Sequence, residues 1–324
     1  MISFIIIGRN EGWKLTKCFK SVFETIEYNK IEKYEVIYID SKSNDDSIER
    51  AKKKSKINIF QITGEFNAAI ARNIGAKEAN GDILFFIDGD MEINKDFYKN
   101  VVRLSKENDN LYLTGQVIDE VYDTDWKLIK KQWHYLKIVN PTKVNSTGGI
   151  FLISKKLWNL VGGMKTKYKR SQDLDFSLRL AKKGYLILRY PEIICHHNTI
   201  SHNNSQRMWS NISNFNIFYH KSLLTREHLF DKFFLKNFIR SDYTILILII
   251  TITLCFSFSF NSAVFWILYF ISIILRSYIN SKKEKGKLKY LFNRITFHII
   301  KDVLSIIMIF TFFPKSHNEK YVKI

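Results

Sequence analysis

Cysteine is scarce. Cys18, Cys195 and Cys255 are the only three in 324 residues, and no two form a Cys-x-x-Cys pair. This excludes a disulfide framework and a cysteine-rich zinc site, and it fits a reducing compartment. No cleavable leader is expected either. Residues 2–7 are too short for one and lack a basic flank, so they read as a first strand, and the N-terminal part is expected to stay in the cytosol. No internal repeat or low-complexity tract breaks the first two thirds. Acidic residues are outnumbered, 31 against 50 Lys and Arg, which leaves a formal charge of +19. Such a balance suits nucleic acid or an anionic membrane face. No nucleic-acid motif accompanies it, and the lysines gather partly beside apolar runs, so nucleic acid is not expected as a partner.

The most informative stretch is residues 79–91, ANGDILFFIDGDM. The apolar run 83–87 ends in Asp88-Gly89-Asp90. A run this short, opened by Gly81-Asp82, predicts a buried strand of a parallel sheet. Ligands of such sheets sit just beyond the carboxyl ends of strands. Two carboxylates one residue apart at that place suit a hard divalent cation that shares its shell with phosphate oxygens. Gly89 lets the backbone turn tightly beside it. The plainer alternative is a strand followed by an acidic turn.

Around it, strands and helices alternate. Residues 2–7, 34–39 and 57–62 read as strands; apolar spacing from Leu15 to Phe23 and the segment 67–79 read as helices. This is the pattern of βαβ units and a parallel sheet. Further on, 112–119 reads as a strand, 126–135 as an amphipathic helix, 150–153 as a strand and 155–160 as a helix stopped by Gly162-Gly163. Gln172-Asp173-Leu174-Asp175 opens a helix to Lys183, 185–189 is a strand, and Cys195-His196-His197 leads into a polar stretch containing His202.

Each candidate residue has a plain alternative. Asp40, at a strand end, would accept a hydrogen bond from a base or ribose, or cap a turn. Arg72 and Asn73 would reach phosphate or base, or lie on a solvated helix face. Gly148-Gly149 allows close backbone approach, or is a simple turn. Asp173 would act as a general base, whereas carboxylates at a helix start are favoured by the dipole in any case, above all Asp175. His197 or His196 would complete a metal shell or touch a diphosphate, or be structural.

The order of these items carries more than any one of them. A strand-end Asp, Ala71-Arg72-Asn73-x-Gly75, Asp88-x-Asp90, Gly148-Gly149, Asp173 and a downstream His together resemble family 2 glycosyltransferases of the GT-A fold. The similarity spans about two thirds of the chain, and Gly8-Arg9-Asn10-Glu11-Gly12 resembles a bacterial subgroup. It implies a Rossmann-like α/β domain, mostly parallel and flanked by helices. It also implies a nucleotide sugar, a UDP- or GDP-sugar, as donor and Mn2+ or Mg2+ as cofactor. By position, Asp40 would hold the base, with Glu11, Arg72 and Gly149 near the nucleotide. Asp88 would face ribose or metal, Asp90 would bind the metal, His197 would sit near metal or diphosphate, and Asp173 would be the catalytic base. The implied reaction is a single displacement with inversion. Ser41 stands where the family often has a second Asp, and Gln172 where it has Glu; these departures suggest the rival reading of a non-catalytic membrane-anchored scaffold. Gln206-Arg207-Met208-Trp209 has the residue types of processive synthases at the wrong spacing, which argues against a processive polymerase.

The C-terminal third is the most apolar. Residues 228–240 read as a basic amphipathic helix lying among headgroups. Residues 243–260 and 263–279 are apolar runs separated by Asn261-Ser262, long enough to cross a bilayer at about 1.5 Å per residue. Lys282, Lys283, Lys285, Lys287 and Lys289 follow, so the positive-inside rule puts both outer ends of the hairpin in the cytosol. A third run, 295–313, carries Lys301 and Asp302, which are costly at bilayer depth unless paired. The expected domains are catalytic 1–225, interfacial 226–241 and membrane 242–324, with the hairpin at 243–279 and transmembrane helices at the C-terminus. The expected place is the cytoplasmic (inner) membrane, multi-pass, with membrane lipids as partners and a lipid-linked acceptor.

Overall fold

A computed structural model describes residues 1–102, 110–200, 204–257, 263–281 and 287–324. The chain forms two compact units: Met1–Ser201 with Lys315–Ile324, and His202–Pro314.

The first unit is built on one 11-stranded sheet in the order β11 (Tyr321–Lys323), β3 (Asn58–Ile62), β2 (Tyr34–Asp40), β1 (Ile2–Gly8), β4 (Ile83–Asp88), β9 (Phe151–Ser154), β6 (Tyr112–Tyr122), β10 (Ile187–Ile200), β5 (Met91–Ile93), with β7 (Leu128–Trp133) on β6 and β8 (Thr142–Val144) on β10. β1 (Ile2–Gly8), β2 (Tyr34–Asp40), β3 (Asn58–Ile62) and β4 (Ile83–Asp88) are the nearly continuous apolar runs seen in the sequence. They pair in parallel, and helices α1 (Trp13–Tyr28), α2 (Ser47–Lys52) and α3 (Ala68–Glu78) connect them. β2 and β3 extend the sheet to one side of β1, and β4 returns to the other. This reversal opens a crevice at the carboxyl ends of β1 and β4. Across it Gly8 is level with Asp40, and Ile7 with Asp88.

The remaining strands make the sheet mixed rather than mostly parallel. β9 (Phe151–Ser154) runs antiparallel to β4 and β6, and β6 (Tyr112–Tyr122) runs parallel to β10 (Ile187–Ile200). β5 (Met91–Ile93) and β8 (Thr142–Val144) are antiparallel neighbours of β10. The segment expected to be an amphipathic helix, 126–135, is instead β7 (Leu128–Trp133), antiparallel to β6. Asp123 directs this: its Oδ1 accepts from the N–H groups of Asp125 and Lys127 and closes a tight turn. β10 is longer than the strand expected at 185–189 and takes in both histidines; Pro191, which has no N–H for the ladder, lies within its register shift. Helices α4 (Lys155–Leu160) and α5 (Gln172–Lys182) follow β9. The last strand, β11 (Tyr321–Lys323), pairs with β3 and covers that edge. Residues 315–324 therefore belong to the sheet unit, and not to the membrane domain to which the sequence assigned them.

The second unit is helical: α6 (Asn204–Ser213), α7 (Lys232–Ser257), α8 (Ala263–Ser281) and α9 (Lys287–Thr311). The amphipathic stretch does not form a helix of its own from 228. Asp231 Oδ1 accepts from the N–H groups of Phe233 and Phe234 and starts α7 at Lys232. The same helix then continues past non-helical Asp242 into the first apolar run. Among the described residues one helix segment, Phe238–Phe256, is long and apolar enough to cross a membrane, and a third of it is buried in the protein. Ala263–Ile279 is apolar but shorter. Asn261-Ser262, Lys282, Lys283, Lys285 and His202 lie outside the described residues.

Gly75 shows how the sheet unit fixes its sequence. A Cβ there would overlap Ile5 Cγ2 on β1. Gly75→Ala is expected to destabilise the sheet unit by about 1–3 kcal/mol through overpacking. Urea unfolding of the full chain checks this; a midpoint at or above the parent's would mean that β1 yields freely.

Candidate active site

The crevice collects carboxylates. Glu11 follows β1, and its Cγ fills the space that a Cβ on Gly8 or Gly89 would take, 3.1 Å away in each case. The N–H groups of Glu11 and Gly12 donate to Ser47 Oγ at the start of α2. Asp88 ends β4, and Arg72 of α3, itself 2% exposed, donates from Nη2 to Asp88 Oδ1 at 2.7 Å. On the other side of Asp88 lies Gly149, where a Cβ would overlap Asp88 Oδ2. Asp90 follows, its backbone carbonyl accepting from Asn198 N–H at 2.9 Å. His197 brings Nε2 to 3.3 Å from Asp90 Oδ2, and its Nδ1–H donates to Asp119 Oδ1 at 2.8 Å. His134 donates to the same Asp119 oxygen at 2.8 Å.

Asp173 is tied to the loop before β9, which carries Gly149. Ser146 Oγ donates to Asp173 Oδ2 at 2.5 Å, and Gly148 N–H donates to Ser146 Oγ at 3.4 Å. The Cα atoms of Ser146, which touches Asp173, and Gly149, which touches Asp88, are at most about 11 Å apart along an extended chain. Tyr135 is charged against from both directions: burial raises its phenol, Arg189 opposes, and Asp173 and Asp119 add to the rise.

The charges are strained together. Burial pushes the Asp88 carboxyl up to about 6 despite Arg72, and Asp90 adds to the rise. Burial and then Asp90 raise Glu11, against the pull of Lys14. Burial, reinforced by Asp90, raises the thiols of Cys18 and Cys195, so both stay protonated. For His197 burial works downward, but the hydrogen bonds with Asp119 and Asp90 outweigh it and lift the imidazole to about 10. Burial would raise Asp119, yet the bonds from His134 and His197 hold it well below the ordinary carboxylate range.

The family model for glycosyl transferase family 2 matches residues 3–167, just over half of the chain. The chain belongs to this family. It is a nucleotide-sugar-dependent glycosyltransferase. A similar protein from Methanococcus voltae is a dolichyl N-acetyl-alpha-D-glucosaminyl phosphate 3-beta-D-2,3-diacetamido-2,3-dideoxy-beta-D-glucuronosyltransferase. It is 28% identical over 225 residues, which cover 62% of this chain and 67% of that one. An uncharacterized glycosyltransferase of Haemophilus influenzae is 21% identical over 194 residues, 56% of this chain and 63% of that one. A crystal structure of GalNAc-T7 with UDP, GalNAc and Mn2+ superposes with a TM-score of 0.51 at 16% identity. It covers 63% of this chain and 44% of that one, and the likeness concerns the GT-A fold.

The family's divalent cation fits the residues present. Asp90 Oδ1 is buried with no hydrogen-bond partner, and Nε and Nη1 of Arg72 are likewise unpartnered. Unsatisfied buried atoms of this kind are rare away from functional sites. Asp119, His134 and His197 also bring three ligand atoms within 4.8 Å of one another.

Several of the expected residues also have partners within the protein. Asp40 is 0% exposed, and its oxygens accept from Tyr38 Oη, Ser43 N–H and the Gln61 amide, the turn-forming alternative. Asn73 forms a reciprocal pair with the Met164 backbone rather than facing the crevice. Asp175 is buried against Arg179 and Lys165. His196 turns to Glu120. Asp119, His134 and Ser146 were missed. Asp119 meets His197 only because β6 and β10 pair in parallel, and His134 lay in the misread helix.

In metal-free protein, Asp119→Asn is expected to lower the His197 pKa from about 10 toward its ordinary 6.5. A raised histidine stabilises the fold fully below its unfolded pKa and loses that contribution as pH rises through the folded one. The variant should therefore show a smaller alkaline loss of stability, complete at lower pH. NMR titration of the imidazole with urea midpoints across the alkaline range checks both; an unmoved imidazole would exclude Asp119 as the group that holds the charge.

Proposed function

We propose that the chain transfers a sugar from a UDP- or GDP-sugar to a hydroxyl acceptor, with inversion, at the cytosolic face of the cytoplasmic membrane. The observation that carries this reading is Asp88 and Asp90 at the end of β4, held by Arg72 and His197, with Asp173 tied by Ser146 to the loop that brings Gly149 against Asp88. Asp173 accepts the proton of the acceptor hydroxyl as that oxygen attacks the anomeric carbon. The Ser146 hydroxyl holds the carboxylate in one orientation for this. The nucleotide diphosphate leaves from the opposite face, so configuration inverts without a covalent enzyme intermediate. Asp88, Asp90 and His197 are the residues that would hold Mn2+ or Mg2+. When bound, such an ion supplies Lewis-acid neutralisation of the leaving diphosphate. Arg72 keeps Asp88 ionised and in place, and Glu11, Asp40 and Gly149 shape the nucleotide side of the crevice.

Two observations support a lipid-linked acceptor. The Methanococcus relative carries a dolichyl phosphate-linked sugar in its name, and this chain has the apolar helix segment Phe238–Phe256. In the full reading that segment and 263–279 form the hairpin, 226–241 lies among headgroups, and the acceptor is presented at the bilayer surface.

Asp173→Asn is expected to lower transfer by about 100-fold or more, the scale of a lost general base, with donor binding retained. Turnover of nucleotide sugars and thermal stabilisation by UDP with Mn2+ separate the two effects. Lost donor binding would assign Asp173 to the donor site instead. Turnover that persists in excess chelator would remove the cation from the reaction.

A further inference from the structure

The hairpin that replaces the expected helix is unusual in what it shows to solvent. From Trp126 to Val139 the apolar side chains Trp126, Leu128, Ile129, Trp133, Leu136 and Val139 are all exposed, Leu136 at 86% and Val139 at 79%. Five lysines, Lys127, Lys130, Lys131, Lys137 and Lys143, are interleaved with them, and Asp125 is the one acidic residue between 125 and 143. Lys131 pairs with Glu120 and Lys137 lies over the Trp133 ring. Among the described residues the ammonium groups of Lys127, Lys130 and Lys143 form no ion pair with a carboxylate. This is not a loose excursion of the chain. His134 N–H donates to Val117 O, Gln116 exchanges two hydrogen bonds with the Ile138 backbone, and Arg189 lies over the Tyr135 ring at 4.0 Å.

We propose that this hairpin is a second membrane-contacting element, on the sheet unit itself, that docks on anionic phospholipid. Charge complementarity selects the occupant. Unpaired lysines alternate with apolar side chains instead of forming a separate patch, so the projecting Leu136 and Val139 can enter the acyl boundary while neighbouring ammonium groups reach lipid phosphates. Trp126 precedes β7 and Trp133 ends it, and tryptophan is enriched at the membrane interface. An acidic protein would meet the charges but leave the projecting Leu136 and Val139 unmatched. Lysines on an open edge strand also discourage strand addition by a second copy. The hairpin carries His134, which donates to Asp119, so seating it on lipid bears directly on the carboxylate that holds His197. The inference rests on the membrane reading above only in that the apolar helix keeps the sheet unit near a bilayer.

The test uses the full chain in nanodiscs of phosphatidylglycerol and phosphatidylcholine in equal parts. The chain carries Cys255→Ser and a polarity-sensitive fluorophore on Leu136→Cys; Cys18 and Cys195 are buried. Lipids with brominated acyl chains are expected to quench the probe about twofold, while aqueous iodide reaches it poorly. Lys127→Glu, Lys130→Glu and Lys143→Glu together, or phosphatidylcholine alone, should remove most of that quenching. Quenching that ignores both changes overturns the recognition of anionic headgroups. Iodide quenching without bromolipid quenching overturns the proposal, and protection from both quenchers overturns it in favour of a protein partner. The same probe on Ile250→Cys reports separately on the anchor: lipid quenching there without quenching at Leu136 leaves the anchor standing and removes the hairpin contact.

Discussion

The site depends on how Asp88 is gripped. Its carboxylate sits between the buried Arg72 guanidinium and the Cα of Gly149, so three segments far apart in sequence are locked at one atom group. Removing Asp88 would leave the buried Arg72 guanidinium without its charge partner, which is costly for a group withdrawn from water. The consequence runs back along α3. Arg72 is committed to Asp88, Asn73 to the Met164 backbone, and Gly75 to contact with Ile5. The Ala-Arg-Asn-x-Gly motif is therefore a docking device that fixes the helix against its neighbours.

The helical unit meets a parallel constraint with different parts. Asp242 is fully buried at the break in α7 and meets Lys221 Nζ at 2.5 Å, Lys301 Nζ at 3.7 Å and Arg276 at 3.8 Å. Lys301 pairs in turn with Asp302 at 2.7 Å, and Tyr269 Oη donates to Asp302. The two charges in 295–313 that made a membrane helix costly on paper thus have partners from neighbouring helices. Pairing of this kind is what makes ionisable groups tolerable in apolar surroundings. It also explains why Asp242 leaves helical geometry: its carboxylate accepts from Ser241 Oγ as well as from Lys221.

What the sequence made legible was local. β1 to β4, the helices between them, and Asp88-Gly89-Asp90 at a strand end follow from apolar runs and turn residues that lie within a few positions of each other. The misreadings share one physical cause, which is partnership across long separations. β7 is a strand because β6 offers it an edge and Asp123 closes the turn; its own residues, Leu-Ile-Lys-Lys-Gln-Trp, have no strong period. β11 is a strand because β3 has a free edge more than two hundred residues earlier. Asp119 was unremarkable until β10 set His197 beside it. Asp40 looked like a ligand because of its place at a strand end, yet that place is also where a buried carboxylate best organises the following turn.

The histidine resolves a conflict that the carboxylates create. Glu11, Asp88 and Asp90 lie close enough that each raises or is raised by another, and Arg72 offsets only Asp88 directly. Asp119 adds a fourth negative group facing Asp90 across the imidazole of His197. A neutral side chain at 197 would leave those two carboxylates opposed in a partly buried space. In metal-free protein a protonated imidazole instead donates to both, from opposite sides of one ring, which is why its proton is held to about 10 against the effect of burial. The ring is fixed in turn, because Asp119 also takes a hydrogen bond from His134 at the base of the hairpin. The position of the hairpin and the charge at the centre of the crevice are therefore set by the same carboxylate.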